Sequence, residues 1–155
     1  MKVRRFKDED ASALAALFHA AVHGIAQLHY SEAQVNAWAP GVPDPERFVA
    51  RGADGRTLLV AADDSDAPLA YGDVEADGHI DHLYCRPEAA GTGVTAALYA
   101  ELEAAARARG IGRLYTEASE PARRFFLKQG FALVERNDFE LGGVPIHNFR
   151  MEKRL

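Results

Sequence analysis

A chain of 155 residues, 48% hydrophobic and 26% charged, has the size and apolar content of one globular domain with a real core, residues 1–155. Its net charge of −5 argues against a nucleic-acid partner and suits either solubility or a cationic partner. The single cysteine, Cys85, excludes an internal disulfide and a cysteine metal cluster.

The chain opens MKVRRFKDED, without the apolar stretch of an export signal, and no run reads as long and apolar enough to span a bilayer. The expectation is a cytoplasmic protein with no membrane partner. VRRF, residues 3–6, suits a first strand. Asp8 or Asp10 then caps a helix with Leu14, Leu17, Phe18, Ala21, Val22 and Ile25 at helical spacing. In SEAQVNAWA, 31–39, Ser31 stands three residues ahead of Gln34, a capping-box pattern that opens a second helix. PGVPDPERF, 40–48, with three prolines, is a loop leading into a helical turn over 45–51. TLLVAA (57–62) and LAYGDVEA (69–76) are strands separated by the turn segment DDSDAP. HIDHLYC, 79–85, is a third strand, with Ile80, His82 and Tyr84 alternating against His79, Asp81, Leu83 and Cys85.

A long helix follows over 91–109, with Val94, Ala97, Leu98, Leu102 and Ala105 on one side and Gly110 as its stop. RLYTEA is a strand; PARRFFLKQ is a helix with Pro121 in its first turn and Gly130 past its end. FALVERNDFEL and VPIHNFRMEK form a closing antiparallel pair that turns at Gly142–Gly143. Strand, two helices, three strands, helix, strand, helix and two strands make an α/β (α+β) domain, a mixed sheet with helices on both faces.

The turn 86–93 carries Gly91 and Gly93 at the start of the long helix. Free N–H groups there, with the helix dipole, form an anion site that needs no cationic side chain. Glycines let a phosphate approach the backbone and allow dihedrals that aim successive N–H groups at it. The same glycines also suit a plain tight connection, since a lone G-x-G is a weak signal. No Lys-Ser/Thr follows, which excludes a Walker loop, and the third glycine of a dinucleotide fingerprint is absent.

The run IDHLYCRPEAAGTGVTAAL resembles the acetyl-CoA-binding motif of the GNAT superfamily of N-acetyltransferases. In that motif a strand ending in hydrophobic-x-Pro leads to Gln/Arg-Gly-x-Gly-x-Gly/Ala and a helix. YSEAQVNAWAP, LYTEAS, ARRFFLKQGF and HNFRMEK resemble one bacterial subgroup of small, mostly uncharacterised members, so the likeness covers nearly the whole chain. It implies a GNAT-like mixed, mostly antiparallel sheet, split at the strand carrying residues 79–85. It also implies a transferase that uses acetyl-CoA as cosubstrate. Backbone groups of Leu83, Tyr84 and Cys85 would bond the pantetheine arm, as an added strand bonds a sheet edge. The N–H groups of Ala90, Gly91, Thr92, Gly93, Val94 and Thr95 would cradle the pyrophosphate. Ser119 stands where the family often has an Asn on the pantetheine arm, and Phe126 would lie beside the thioester end. Ala90 replaces the usual Gln or Arg and Thr95 the usual Gly or Ala, at positions that mainly contribute backbone.

Direct acetyl transfer to an amine requires a base, because an amine of pKa ~10.4 must lose a proton to become nucleophilic. It also requires a donor to the thioester carbonyl, here the N–H of Leu83 or a neighbour. In the family pattern Asn-x-x-Ala-x-x-x-Tyr the tyrosine protonates the leaving thiolate; here Ser119, Ala122 and Phe126 occupy the named positions, so the usual acid is missing. Thiols titrate near ~8.5, so the thiolate can leave unaided, with Tyr84 and Tyr115 as unplaced substitutes. Asp81, directly or through water or His79, is the expected base, because the two lie on one strand face ahead of the pantetheine-binding residues. Glu75 is the third candidate, and Cys85 reads as a small buried hydrophobe.

The acceptor pocket is expected between the N-terminal helices and the last strands, with His23, Tyr30 and His147 in its wall and Trp38 as core or wall. His19 and His23 have metal-binding spacing but no acidic partner, so no metal is expected. The acceptor would be a small-molecule amine or a protein amino group, and a homodimer is compatible with the sequence. Loss of the tyrosine acid leaves a second reading, a non-catalytic acyl-CoA-binding or sensor module.

Overall fold

The computed structural model describes all 155 residues. The chain runs β1 (Lys2–Arg5), α1 (Ala11–Gly24), α2 (Glu32–Trp38), α3 (Glu46–Gly52), β2 (Thr57–Ala62), β3 (Pro68–Val74), β4 (His79–Ile80) and β5 (Leu83–Cys85). It continues through α4 (Val94–Ala108), β6 (Arg113–Ala118), α5 (Glu120–Lys128), β7 (Ala132–Leu141) and β8 (Val144–Arg154). The proline-rich loop thus gives way to a third helix in the first half, and Ser31 and Gln34 form their capping box.

Every residue of β2 is buried, which accounts for the apolar run that follows Thr57. One face of β2 and β3 packs Leu59, Ala61 and Val74 against Leu98, Leu102 and Ala106 of α4. The other packs Leu58, Val60 and Tyr71 against Leu14, Leu17 and Phe48 of α1 and α3. Helices therefore cover both faces of a mixed, mostly antiparallel framework, in which only β4 and β6 pair in parallel.

The strands form two sheets, β1-β2-β3-β5 and β4-β6-β8-β7. The segment 79–85, which reads as one strand, divides between them. Its first half pairs with β6, His79 opposite Tyr115; its second pairs with β3, Tyr84 opposite Tyr71. The cause of the break is Asp73 of β3. Its Oδ1 accepts the N–H groups of Asp81 (3.0 Å) and His82 (3.1 Å), so a side chain takes the donors a ladder would use. Asp73 is fully buried and its other oxygen meets Arg51 at 2.5 Å and Arg56 at 3.0 Å.

Two sequence expectations need correction. Asp10 stands at the helix N-cap without a side-chain capping bond, because its carboxylate is spent on Arg4 at 2.8 and 2.9 Å and on the N–H of Lys7. The helical stretch Asp8–Leu28, 21 residues with a mean hydropathy of 1.4, is long and apolar enough to cross a membrane by length and composition. Here its stripe of Leu14, Leu17 and Val22 is spent on the protein's own core.

Candidate active site at the split between the sheets

Parting the sheets between β4 and β5 leaves one edge of β5 without a strand partner. Asp73 N–H donates to His82 O, and Arg86 N–H to Leu69 O. By the alternation of an antiparallel ladder, Tyr84 then turns its backbone toward β3, while Leu83 and Cys85 turn theirs to the open edge. Two of the three expected backbone partners thus stand free, and Tyr84 contributes its ring instead. That ring lines the cavities on both sides of the split.

The first cavity, about 380 Å³, lies between the β5 edge, the glycine turn and α5. Ala90, Gly91, Gly93 and Thr95 line it from the turn, and Ser119, Ala122 and Phe125 from α5 and its cap. Gly91 and Gly93 have φ of +74° and +87°, and a Cβ built on either would meet nothing within 4 Å. Only glycine holds such dihedrals without strain, and the open space in front admits a bulky anion, so the turn fits a phosphate cradle. Ser119 Oγ also accepts from Ala122 N–H at the start of α5.

Of the expected cofactor residues, Phe126 does not line this cavity, while Thr92 and Val94, whose expected part is a backbone N–H, turn only their side chains away from it. Thr92 bonds its hydroxyl back to Ala89 O, Val94 is 8% exposed within the core, and Phe126 packs against Tyr99 and Phe131. The phenylalanine in the cavity wall is Phe125, one residue earlier.

Replacing Gly93 by Val should abolish CoA binding while leaving the fold intact, since a branched side chain strains the positive φ and fills the cradle. Parent protein with CoA at about a hundred times its Kd should gain roughly 2.7 kcal/mol of stability, read as a rise in Tm, and Gly93→Val should gain none. A folded Gly93→Val variant stabilised as much as the parent contradicts the assignment.

The second cavity, about 350 Å³, shares Trp38, Tyr84 and Ser119 with the first. Asp81, His82, Glu117, Tyr30 and His147 line it. Tyr30 donates to His147 O at 3.0 Å and accepts from Glu120 N–H at 2.8 Å, and His147 Nε2 meets Glu120 at 2.6 Å. These bonds tie the segment between α1 and α2 to α5 and β8 in one wall. His23 is not part of it, because its Nε2 is held by Ala39 O at 2.7 Å.

Glu75, His79 and Asp81 bring their polar atoms within 4.8 Å of one another. His79 lies between Glu117 (3.0 Å) and Glu75 (3.1 Å). Hydrogen bonding to Glu117, against the opposing effect of burial, raises its pKa to about 9. The ring is therefore already protonated at neutral pH, cannot accept a proton there, and lies outside the cavity wall. For Asp81, burial pushes the carboxyl up, but Arg51 at 2.7 Å outweighs it and holds the group below the usual carboxylate range. Burial and the charge of Arg51 lower the half-buried His82 to about 4, and its Nδ1 bonds Tyr71 Oη at 2.9 Å.

Because the folded pKa of His79 lies above its ordinary 6.5, its ion pairs stabilise the fold fully below about pH 6.5. That contribution is lost as pH rises through about 9. Denaturant midpoints of the parent and His79→Gln should differ most near pH 6 and converge near about pH 10. A difference that grows with pH contradicts the pairing.

Sequence reasoning missed Glu117, His82 and Phe125. The only signal for Glu117 was a charged residue in the short strand RLYTEA, next to the split.

The fold matches a GCN5-related N-acetyltransferase from Rhodopseudomonas palustris with a TM-score of 0.91 and 34% identity, over 99% of this chain and 95% of that one. It matches the PaiA N-acetyltransferase of Thermoplasma acidophilum, solved with coenzyme A, with a TM-score of 0.80 and 19% identity, over 99% and 98% of the two chains. In sequence the chain is 28% identical over 151 residues to an uncharacterised N-acetyltransferase of Escherichia coli K12, YafP, covering 97% of this chain and 94% of that protein. A family model of the GNAT acetyltransferase domain matches residues 26–153, a stretch that holds the glycine turn and the divided strand, and the chain therefore belongs to the GNAT family of acetyltransferases.

Proposed function

We propose that this acyltransferase moves an acetyl group from acetyl-CoA directly to the nitrogen of an amine. The observation that carries the reading is the junction of the two cavities, where Trp38, Tyr84 and Ser119 wall both the phosphate-cradle side and the side lined by Asp81 and Glu117. Homologous folds solved with coenzyme A or acetyl-CoA support the choice of donor.

Acetyl-CoA would supply an acyl group on a good leaving group, and the reaction exchanges its C–S bond for an amide C–N bond. Gly91 and Gly93 would admit the phosphates, and the free backbone edge of Leu83 and Cys85 would bond the pantetheine arm. The N–H of Leu83 is the assigned donor to the carbonyl oxygen as negative charge develops. Apolar walls from Val22, Ile25 and Phe125 exclude water from the donor side.

Asp81 is the assigned base. Its lowered pKa keeps it ionised, so it attracts and orients an ammonium group, and it passes the proton on to water rather than retaining it. His79, protonated, fixes Glu75 and Glu117 beside it. Burial pushes the Tyr84 phenol up, which keeps it neutral.

Thiol release from acetyl-CoA across a panel of primary amines tests this function. Release that requires an amine supports it; CoA binding without amine-dependent release at any pH favours the non-catalytic acyl-CoA sensor.

A further inference from the structure

A nitrogen that enters the acceptor cavity as an ammonium group and leaves as an amide gives up two protons. Asp81, assigned above, accounts for one of them. Most other titratable side chains of that wall are committed elsewhere. Glu117 holds the protonated His79 at 3.0 Å. Burial lowers His82 to about 4, and its Nδ1 is bonded to Tyr71 Oη. Burial pushes the phenols of Tyr30 and Tyr84 up, so neither takes part as an anion. His147 is the exception.

His147 lines the acceptor cavity from β8, and its Nε2 meets Glu120 Oε2 at 2.6 Å. That hydrogen bond holds the Glu120 carboxyl below its ordinary range, so the group is ionised at neutral pH. An ionised carboxylate only accepts, so Nε2 carries the hydrogen and Nδ1 of the neutral ring keeps its lone pair. No protein group bonds that Nδ1, and it is not sealed inside the protein. Arg123 comes nearest the other Glu120 oxygen, at 3.7 Å, and leaves Oε2 to the histidine. The pair is also held in place. Tyr30 Oη accepts the Glu120 N–H at 2.8 Å and donates to His147 O at 3.0 Å, so one hydroxyl fixes the backbone of both partners. The imidazole packs against the rings of Tyr30 and Phe149, with centroids 5.4 and 5.5 Å away. An imidazole held by a carboxylate at one nitrogen and free at the other is built to take up a proton, because the carboxylate stabilises the imidazolium that forms.

We propose that His147, held by Glu120, is a second proton acceptor of the acetyl transfer and takes the proton that the attacking nitrogen loses as the C–N bond forms. The proposal rests on the acetyltransferase reading above and divides its proton transfers between two residues. Asp81 and His147 wall the same cavity of about 350 Å³, one from the divided segment and the other from β8. The first proton leaves the ammonium group by way of Asp81, which passes it to water. The nitrogen lone pair then forms the C–N bond, and the C–S electrons leave with sulfur as the thiolate. The second proton moves from nitrogen to His147 Nδ1, directly or through one water. Glu120 balances the imidazolium charge until the ring gives that proton to solvent. Glu120 touches no reacting atom and is a positioning residue.

Substitution with chemical rescue tests the pair. His147→Ala should lower kcat by about 10²–10⁴-fold, the usual contribution of a positioned acid–base group. Added imidazole should return part of that rate, since it supplies the missing base and not the missing packing. His147→Gln keeps a donor for Glu120 but no basic nitrogen, so it should lose as much as His147→Ala. Glu120→Gln should lower kcat about tenfold to a hundredfold, the range of a charged hydrogen bond. The KM for acetyl-CoA should not change with it, because Glu120 does not line the donor cavity. Combined with His147→Ala it should cost nothing more, since it acts through the histidine. A rise in Tm with CoA checks that each variant is folded and binds the donor. Near-parent turnover in either His147 variant, no recovery with imidazole, or a further loss in the double variant places the pair outside the chemistry while the acetyltransferase function stands. If the parent acetylates no amine, both fail.

Discussion

Replacing Asp73 by Ala should cost about 3–5 kcal/mol of folding stability, the largest effect of any single polar substitution in this protein. The carboxylate is fully buried between Arg51 and Arg56 and accepts two backbone N–H groups at the division of the sheet. Its removal takes the one fully buried carboxylate from Arg51 and Arg56, leaving them the more exposed Asp81 and Asp54, and strands two backbone donors without an acceptor. By contrast, Asp64→Ala removes a fully exposed partner of the N-terminus and should leave stability nearly unchanged. Denaturant titration of both variants measures the contrast. A loss below about 1 kcal/mol for Asp73→Ala would show that the network does not hold the split open.

The second large effect is catalytic. Asp81→Asn keeps the size of the side chain and its hydrogen bonding while removing its charge, and should lower kcat by about 10²–10⁴-fold. CoA affinity should change little, because Asp81 lines the acceptor cavity and not the donor cavity. Raising the pH should recover part of the loss, since more of the amine is then already deprotonated. Near-parent turnover at neutral pH would remove Asp81 from the base role and move attention to Glu117, the other carboxylate in that wall.

The fold was legible wherever the signal was local. Ser31 and Gln34 announced α2 because a capping box closes within four residues, and Gly142–Gly143 announced the β7–β8 turn because their φ values, +57° and +78°, are glycine conformations. The positive-φ glycines of the turn 86–93 were legible for the same reason. What escaped was set by partners distant in sequence. Nothing in HIDHLYC shows that Asp73, 8 and 9 residues earlier, takes the N–H groups of Asp81 and His82 and divides the strand. The commitment of Asp81 to Arg51 spans 30 residues, and that of His79 to Glu117 spans 38. Those pairings decide which group carries the proton at neutral pH, so base chemistry could be located but not apportioned. The exchange of Phe126 for Phe125 at the cavity is a question of helix phase between two adjacent identical side chains, which composition does not resolve.

The most direct test of the central claim, that donor and acceptor meet at the split and the acetyl group passes between them without residing on the protein, is a two-substrate initial-rate study. Acetyl-CoA and amine concentrations are varied together, and thiol release is followed from the first turnover. Direct transfer predicts intersecting double-reciprocal lines and no thiol released before amine is added. Parallel lines, with a burst of thiol equal to the enzyme concentration in the absence of amine, would contradict it.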